Sequence, residues 1–444
     1  MACMLTPKII LNKIQSCISS MQSNIDKFVV RPGKDFSRPK SCTFSRMLKA
    51  LMSIESHSID KEIFHIFPSG KAKITRNDLV TQSAFVQARA KFNSLAFPFL
   101  FNEFNRKTPF SKTKDGLHFI GIDGSDYNVP ADIKDCNSYI PYNSKEGGYY
   151  QYHLNFAYDL LEGRYSDVVI QPRKMFNEPE AACDMVDRKA ISGKCLYCAD
   201  RGYHSFNLMA HIMEKKDFFL IREKDIYAKN SPFKDLVPAE GSEFDIEHTF
   251  IITRRKKKGS DPSATYKLFT KNKRFDFIPA DDKESVYEIP FRLVAIKLDN
   301  EKMEYLITNL SAKKYPPATL KEYYRLRWNE EVSFLHLKYG VALNYFHSIK
   351  REFLVQEIYA KLILFNFISL LVSCVEIPQK STNKYEYKPS FSHAIDTGRG
   401  YLLGRVDHDA VIELLLMNKT PIRPGRKYKR NMKSQRLRPL QHRS

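Results

Sequence analysis

The pattern of apolar and polar residues changes abruptly at Gly116, and the order of elements after it restricts the possible folds strongly. Short β-branched and apolar runs between turn residues predict strands, whereas longer stretches with apolar residues three or four positions apart predict helices. The predicted elements are strands over Leu117–Ile122, His153–Tyr158 and Ser166–Gln171, a helix over Glu178–Ile191, a strand over Cys195–Ala199, a helix over Ser205–Lys215 and a strand over Phe218–Ile221. This order predicts a mixed sheet with helices on its faces.

The predicted order has three strands, then alternating helices and strands, and a further helix later in the chain. This is the element order of a ribonuclease-H-like α/β core. We expect its first part over residues 113–222, a β-rich insertion with basic turns over 223–320, and its closing helices over 321–376. Residues 1–112 are basic and predicted to be mostly helical, which is typical of a DNA-binding region. Residues 377–444 form a C-terminal region, and its last 24 residues carry nine Lys or Arg and no acid. That composition predicts a disordered basic tail.

The formal net charge of +21 is extreme for a metabolic enzyme and predicts a polyanionic partner. The most apolar run, over residues 362–375, is too short to cross a bilayer, which needs about 20 apolar residues, and it contains polar residues. We therefore expect no membrane association and a cytoplasmic protein. Cys195 and Cys198 form the closest cysteine pair, and no second pair exists to complete a zinc site, so we interpret them as buried strand residues.

A polar stripe runs along the predicted helix over residues 324–338. At about 100° per residue, Tyr324, Arg327, Glu331 and Lys338 project from one arc roughly 60° wide. Glu330 points elsewhere, which singles out Glu331. Because apolar residues flank the arc on both sides, we expect the helix to be packed on both sides and the stripe to line a cleft. The alternative is a solvated face with a Glu/Lys pair.

Two aspartates can join Glu331 in such a cleft. Asp123 is expected where one strand ends in a turn, and Asp200 directly after another strand. Each alone is a common turn former or helix cap, but two such acids on successive core strands, with Glu331 on the closing helix, suit Mg²⁺, which prefers oxygen ligands. Competing acids are ranked lower; they are Asp126, Asp159 and Glu178.

The series Asp123, Asp200, Glu331, with the spacing Tyr-x2-Arg-x3-Glu-x6-Lys around the last acid, resembles the insertion sequence four family of bacterial DDE transposases. Supporting stretches are IDGS at 122–125, DRGY at 200–203, FFLIRE at 218–223, ITNL at 307–310, YRLRWNEE at 324–331, FHSIK at 346–350 and QEIYA at 356–360. The resemblance spans roughly residues 115–375. Family members also carry a β-strand insertion between the second Asp and the Glu, which agrees with the strands expected here.

The resemblance implies a cut-and-paste DNA transposase that cleaves transposon ends and joins them to target DNA. Asp123, Asp200 and Glu331 would hold two Mg²⁺ ions, for which Mn²⁺ can substitute. Family members act as homodimers on terminal inverted repeats, and here residues 1–112 would bind those repeats. The expected DNA-contacting residues are Tyr324, Arg327, Lys338 and Arg201, together with Arg254, Arg255 and Lys256 in the basic run over residues 254–258.

Three alternatives remain open at this point. The chain could be a ribonuclease-H-like metal-dependent nuclease that cleaves without joining, a non-catalytic DNA-binding protein, or an inactive relic of a transposon.

One departure from the family concerns hairpin chemistry. Better-known relatives stack a flipped base on a Trp in the insertion, but the single Trp of this chain, Trp328, lies in the signature helix. Base flipping in this chain would therefore need a Tyr or Phe in place of that Trp, or would not occur in that form.

Overall fold

The structure is a computed structural model of the chain. It describes residues 5–38, 41–67, 80–143, 146–224, 226–256, 263–298, 302–379 and 381–423. The basic tail from residue 424 onward and Lys257 and Lys258 of the basic run therefore lie outside the described residues.

The N-terminal region is helical, as expected. Its helices are α1 (Pro7–Ser23), α2 (Phe44–Ser53), α3 (Ile59–Ile66), α4 (Gln82–Arg89) and α5 (Ala96–Lys107). Three of them begin after a threonine whose hydroxyl accepts a hydrogen bond from the first-turn backbone; these caps are Thr6, Thr43 and Thr81. The apolar faces of α1, α2 and α5 pack against the long helix α10, described below, in one continuous hydrophobic core.

The central sheet contains the strands of the expected core. They are β1 (His118–Val129), β2 (Tyr139–Pro141), β3 (Gly148–Asp159), β4 (Arg164–Pro172), β5 (Cys195–Ala199) and β6 (Phe218–Glu223). Across the sheet the order is β4, β3, β1, β5, β6, with β1, β5 and β6 parallel. Strand β3 is antiparallel to all three strands that pair with it, β1, β2 and β4. This mixed order confirms the expected ribonuclease-H-like α/β core.

Both faces of this sheet are covered, which explains why its strands are apolar on both sides. Helices α6 (Glu178–Arg188) and α7 (Phe206–Glu214) cover one face, against Ile120 and Ile122 of β1. The other face, with Phe119 of β1 and Cys198 of β5, belongs to the core that includes α10 and the N-terminal helices. Cys195 and Cys198 are buried strand residues, as expected.

The insertion consists of β7 (Phe244–Thr253), β8 (Ala264–Leu268), β9 (Val286–Lys297) and β10 (Met303–Thr308). These strands do not form a separate sheet. Strand β10 pairs antiparallel with β6, and the order continues through β9 and β7 to β8. The central sheet and the insertion are therefore one continuous hydrogen-bonded sheet.

The signature region is not the single helix expected over residues 324–338. Helix α8 (Pro317–Arg325) ends in a tight turn at Leu326 and Arg327, α9 (Trp328–Leu335) follows, and residues 336–340 form a π-helical turn. Nor is this segment packed on both flanks, because the flank formed by Trp328, Val332 and Leu335 faces solvent. The opposite side is the buried one.

Helix α10 (Arg351–Ser373) is the central helix of the structure. By length and composition it could cross a membrane, but 83% of its most apolar window is buried inside the fold, as in the core helix of a globular domain. The C-terminal region adds β11 (Glu386–Pro389), α11 (Phe391–Leu402), α12 (His408–Met417) and β12 (Lys419–Ile422), with α11 packed against α10.

Candidate catalytic site

Asp123 and Asp200 are brought together by the parallel pairing of β1 and β5. The last paired residues of the two strands are Ile122 and Ala199, and each aspartate is the next residue along its chain. The sequence predicted Asp123 at the end of its strand, but the strand continues beyond it. Strand β1 runs on to Val129, because its other edge remains paired with β3, and Asp123 is opposite Phe156 there.

The backbone holds both aspartates in place. Asp123 accepts a hydrogen bond from the N–H of Gly124 at 2.8 Å, and Asp200 accepts one from the N–H of Gly202 at 2.8 Å, capping the 3₁₀ turn over residues 201–203. Burial raises the pKa of Asp123 to about 6, Arg327 opposes that shift, and the neighbouring carboxylates of Asp200 and Glu331 add to it. Asp123 therefore lies in a group of like charges that favours a bound cation.

Arg327 connects the aspartates to the signature helix. Its Nη1 lies 3.3 Å from Oδ2 of Asp123, and its Nη2 lies 3.0 Å from Oε1 of Glu331. The side chain is 8% exposed, so this is a nearly buried bridge between two of the acids expected to bind metal. The structure thus places Asp123, Arg327 and Glu331 in one cluster, beside Asp200.

Glu330 is a member of the cluster that the sequence reasoning excluded. It does point away from the arc of Glu331, but toward the protein interior, because the buried side of α9 is centred on it. Its side chain is fully buried, and neither carboxyl oxygen has a hydrogen-bond partner among the described residues. Burial raises its pKa well above the ordinary value, the negative charges of Asp123, Glu331 and Asp200 raise it further, and the positive charge of Arg327 opposes the shift.

Space for Glu330 comes from a glycine on β1. A Cβ atom at Gly121 would lie 2.3 Å from Oε2 of Glu330, closer than any real contact permits. Gly121 is two residues before Asp123 and therefore on the same face of the strand. The Gly-Ile-Asp order of β1 was the sequence signal that could have indicated space for a buried side chain, here Glu330, beside Asp123.

Two competing acids lie next to the site, on the other side of β1. His153 lies 2.7 Å from Asp126 through Nδ1 and 3.2 Å from Glu178 through Nε2, and its ring packs over Gly124. A Cβ at Gly202 would lie 2.9 Å from Glu178 and 3.1 Å from Asp200, so the Glu178 carboxylate is close to Asp200. Glu178 is therefore nearer the site than its place at a helix N-terminus indicated.

The third competitor, Asp159, has a structural environment. It is fully buried, and its Oδ1 accepts hydrogen bonds from the backbone of Leu161 and Glu162 in the turn after β3. Burial raises its pKa to about 7, partly opposed by those bonds. These contacts give Asp159 a structural role in holding the turn after β3.

The other residues of the polar stripe are more buried than a solvated face would be. The hydroxyl of Tyr324 is buried without a hydrogen-bond partner in the described part of the chain, and burial raises its pKa. Lys338 donates to the carbonyl of Asp126 at 3.2 Å and lies 4.8 Å from the centre of the Tyr127 ring. The stripe therefore faces the strand that carries Asp123.

The basic residues of the insertion differ in their surroundings. Arg254 donates to four backbone carbonyls, so its guanidinium holds together the loop that follows β8; the acceptors are Thr270, Lys273, Phe275 and Ile278. Arg255 is exposed and lies 3.3 Å from Glu284, and Lys256 is exposed. Arg201, beside Asp200, is also exposed.

As the side chains stand, no three His, Cys, Asp or Glu residues within the described ranges are gathered closely enough to hold a metal ion. The Arg327 guanidinium lies between Asp123 and Glu331, where it supplies a positive charge of its own. The available donors are carboxylate oxygens, which is the chemistry that Mg²⁺ and Mn²⁺ require. The residues therefore fit a divalent cation once the guanidinium moves aside.

Comparisons with known proteins identify the family of the chain. The family model described as "Transposase DDE domain" matches residues 118–367, more than half of the chain, and that span contains all four carboxylates of the cluster. The solved cryo-EM structure of a piggyBac transposase synaptic complex with hairpin DNA is similar at 12% identity, with 90% of this chain and 80% of that chain covered and a TM-score of 0.44. No curated protein matches the chain. The chain therefore belongs to the Transposase DDE domain family and is a DNA transposase.

Proposed function

We propose that this transposase cleaves the ends of its own element and joins them to target DNA by metal-assisted phosphoryl transfer, in a cut-and-paste reaction. The observation that carries the proposal is the meeting of Asp123 and Asp200 directly after the last paired residues of the parallel strands β1 and β5, with Glu331 linked to Asp123 through one guanidinium. Three acids from three separate parts of the chain have little structural reason to converge around one partly buried position.

Asp123, Asp200 and Glu331 are the residues that would hold two Mg²⁺ ions, with Mn²⁺ as a substitute. Bound there, the ions would activate a water or a 3′-hydroxyl and stabilise the charge on the leaving oxygen. The protein itself contributes by positioning the carboxylates. The backbone bonds to Asp123 and Asp200 fix both carboxylates before any ligand arrives.

We assign the chain to the insertion sequence four family of bacterial transposases on its signature. The support is the spacing of Tyr324, Arg327, Glu331 and Lys338, all of which lie on the segment facing β1. The bend at Leu326 and Arg327 does not disperse these residues, because both residues keep right-handed helical backbone angles.

DNA would bind across the open side of the site. Tyr324, Arg327 and Lys338 would contact phosphates next to the scissile bond, with Arg201 on the exposed rim. From the insertion, Arg255 and Lys256 have exposed side chains suited to a phosphate contact, whereas Arg254 would act indirectly, by holding together the loop after β8. Residues 1–112 would bind the terminal inverted repeats, and a homodimer would hold the two ends. Such a protein would act in the cytoplasm, associated with the nucleoid.

A single reaction separates this function from its rivals. The protein is incubated with Mg²⁺, a DNA carrying the element's terminal inverted repeats, and a supercoiled target plasmid. Joined products support transposition, nicking without joining supports a ribonuclease-H-like nuclease, and binding without nicking supports a non-catalytic DNA-binding protein. E331Q is the inactive variant, and E352Q, at an exposed glutamate on α10, is its matched control.

A further inference from the structure

Glu330 and Arg327 each have hydrogen-bonding capacity that the structure leaves unused. Both carboxyl oxygens of Glu330 and Nε of Arg327 are buried without partners among the described residues. The two residues belong to one helical turn, in which the N–H of Glu330 donates to the carbonyl of Arg327 at 3.0 Å. An unused buried donor and an unused buried acceptor therefore lie three residues apart.

Such an arrangement is costly in a protein interior. A buried carboxyl group without partners is far less favourable than an apolar side chain of similar size. Packing does not require the Glu330 carboxyl group here, because it fits only since position 121 of the neighbouring strand is a glycine without a side chain. A carboxyl group that does not stabilise the interior and that requires a glycine on the facing strand needs another explanation.

The present partners of Arg327 supply one. Its two terminal nitrogens bridge Asp123 and Glu331, which are the carboxylates proposed to bind metal. A divalent cation that takes these carboxylates removes both partners of the guanidinium at once. Since Arg327 is almost fully buried, it then needs an acceptor within the protein.

We propose that Glu330 is a positioning residue that accepts the guanidinium of Arg327 when a divalent cation takes Asp123 and Glu331. This inference rests on the proposed function and adds a part to it. Glu330 does not ligate the cation; it lowers the cost of releasing the two acids from Arg327. A carboxyl oxygen accepts hydrogen bonds whether or not the group is protonated, so the role is independent of its charge.

The chain contains its own reporter for this movement. The Arg327 guanidinium lies 5.9 Å from the centre of the Trp328 ring, and Trp328 is the single tryptophan of the sequence. A cation so close to an indole influences its emission. Movement of Arg327 should therefore change the intrinsic fluorescence without any label.

The test is a MgCl₂ titration of the full-length protein without DNA, followed by Trp328 fluorescence. Variants are E330L, which removes both acceptor oxygens, and E330Q, which keeps one. We expect wild type to show a saturable change, E330Q to match its apparent affinity within about threefold, and E330L to bind about tenfold more weakly, as the loss of a hydrogen bond to a charged group predicts. The metal-free melting temperature of E330L should equal or exceed that of wild type, since an unpartnered acid has been removed.

The outcomes separate this inference from the proposed function. If E330L binds Mg²⁺ as tightly as wild type, Glu330 is only a packing feature and the inference is overturned. If E330Q loses as much affinity as E330L, the negative charge rather than the acceptor atom matters, and the positioning role is equally overturned. If the fluorescence of wild type does not change with Mg²⁺, and that of E331Q does not change either, the metal site of the proposed function fails. The inference then fails with it.

Discussion

Ile122 on β1 pairs with Ala199 on β5, and an aspartate follows each of them. Because side chains alternate along a strand, a shift of one residue in this register would place Asp123 and Asp200 on opposite faces of the sheet. The site therefore depends on the register of two apolar strands. A residue that never touches substrate can thus determine whether the carboxylates meet.

Neutralising any of the three proposed ligands should abolish cleavage. We expect D123N, D200N and E331Q each to lower the rate of nicking at the transposon end by about 100-fold or more, since each removes several kcal/mol of interaction with the metal-bound transition state. The measurement is single-turnover cleavage of an inverted-repeat DNA in Mg²⁺. D281N and E352Q alter exposed acids elsewhere and should cleave at the wild-type rate. Full activity in E331Q would remove Glu331 from the site.

The stability of the metal-free protein should fall as pH rises through the range in which Asp123 titrates. Its pKa is raised from an ordinary value of 3.8 to about 6, so between these values the folded state keeps a proton that the unfolded state has released. Stability is therefore lost as pH rises from about 4 toward 7, by at most about 3 kcal/mol, because one pKa unit corresponds to about 1.4 kcal/mol. Denaturant unfolding of wild type and D123N across this pH range measures how the free energy of unfolding depends on pH. If Asp123 titrates normally, the two proteins should show the same pH dependence.

A buried ion pair joins the N-terminal helices to the catalytic core. Arg89 on α4 lies 2.7 Å from Glu357 on α10, and both side chains are at most 3% exposed. Burial alone would raise the pKa of Glu357, but Arg89 and His347 lower it to about 2. Stability from this group is thus complete above its ordinary pKa of 4.5 and is lost as pH falls toward 2.

Removing one partner of that pair should be more damaging than removing both. We expect E357M to lower the free energy of unfolding by roughly 3–5 kcal/mol, because it leaves Arg89 as an uncompensated buried charge. The double variant R89M/E357M should recover a large part of the loss. Denaturant unfolding at neutral pH measures both, and equal losses in the single and double variants would argue against a coupled pair.

The exposed basic residues of the insertion should contribute to DNA affinity without sequence preference. We expect R255E/K256E to weaken binding to inverted-repeat and unrelated DNA alike, and to reduce the salt dependence of binding by roughly two charges. The matched control is K194E, at an exposed lysine before β5, at the opposite end of that strand from Asp200. Unchanged binding across a salt series would place the DNA path elsewhere.

Gly121 should tolerate no larger residue while Glu330 is present. An added methyl group would overlap Oε2 of Glu330, so G121A should destabilise the protein by roughly 1–3 kcal/mol. The double variant G121A/E330A creates room for the methyl group, and we expect it to lose less than the sum of its single variants. Additive losses in a thermal unfolding experiment would show that the overlap does not limit the packing here.

Periodicity in the sequence was sufficient to predict the core. Cys195–Ala199 was predicted with its observed bounds, and apart from the short strand β2, which was missed, the order of strands and helices was correct, because a ribonuclease-H-like core is built from short apolar strands that are buried on both faces. Strand β1 was predicted too short. Its second half, from Asp123 onward, is polar and contains Gly124, so its pairing with β3 was not evident from composition.

The signature segment shows where a helical wheel fails. The wheel assumes one straight helix, whereas the turn at Leu326 and Arg327 has bonds three residues apart, such as Arg327 N–H to Tyr324 C=O. Grouping Arg327 with Glu331 was correct, since they form an ion pair. Burial of Glu330 was missed because residue type predicts an exposed acid, and only the missing side chain at Gly121 allows it inside.

The unbroken sheet has a consequence for engineering and for the evolution of such chains. Strand β10 pairs with residues 220–223 of β6, so excising the insertion would leave β6, an apolar strand, as an open edge of the sheet. Open edges of that kind recruit other chains and lead to aggregation. Shortened versions of this protein will therefore need a strand that still pairs with the outer edge of β6.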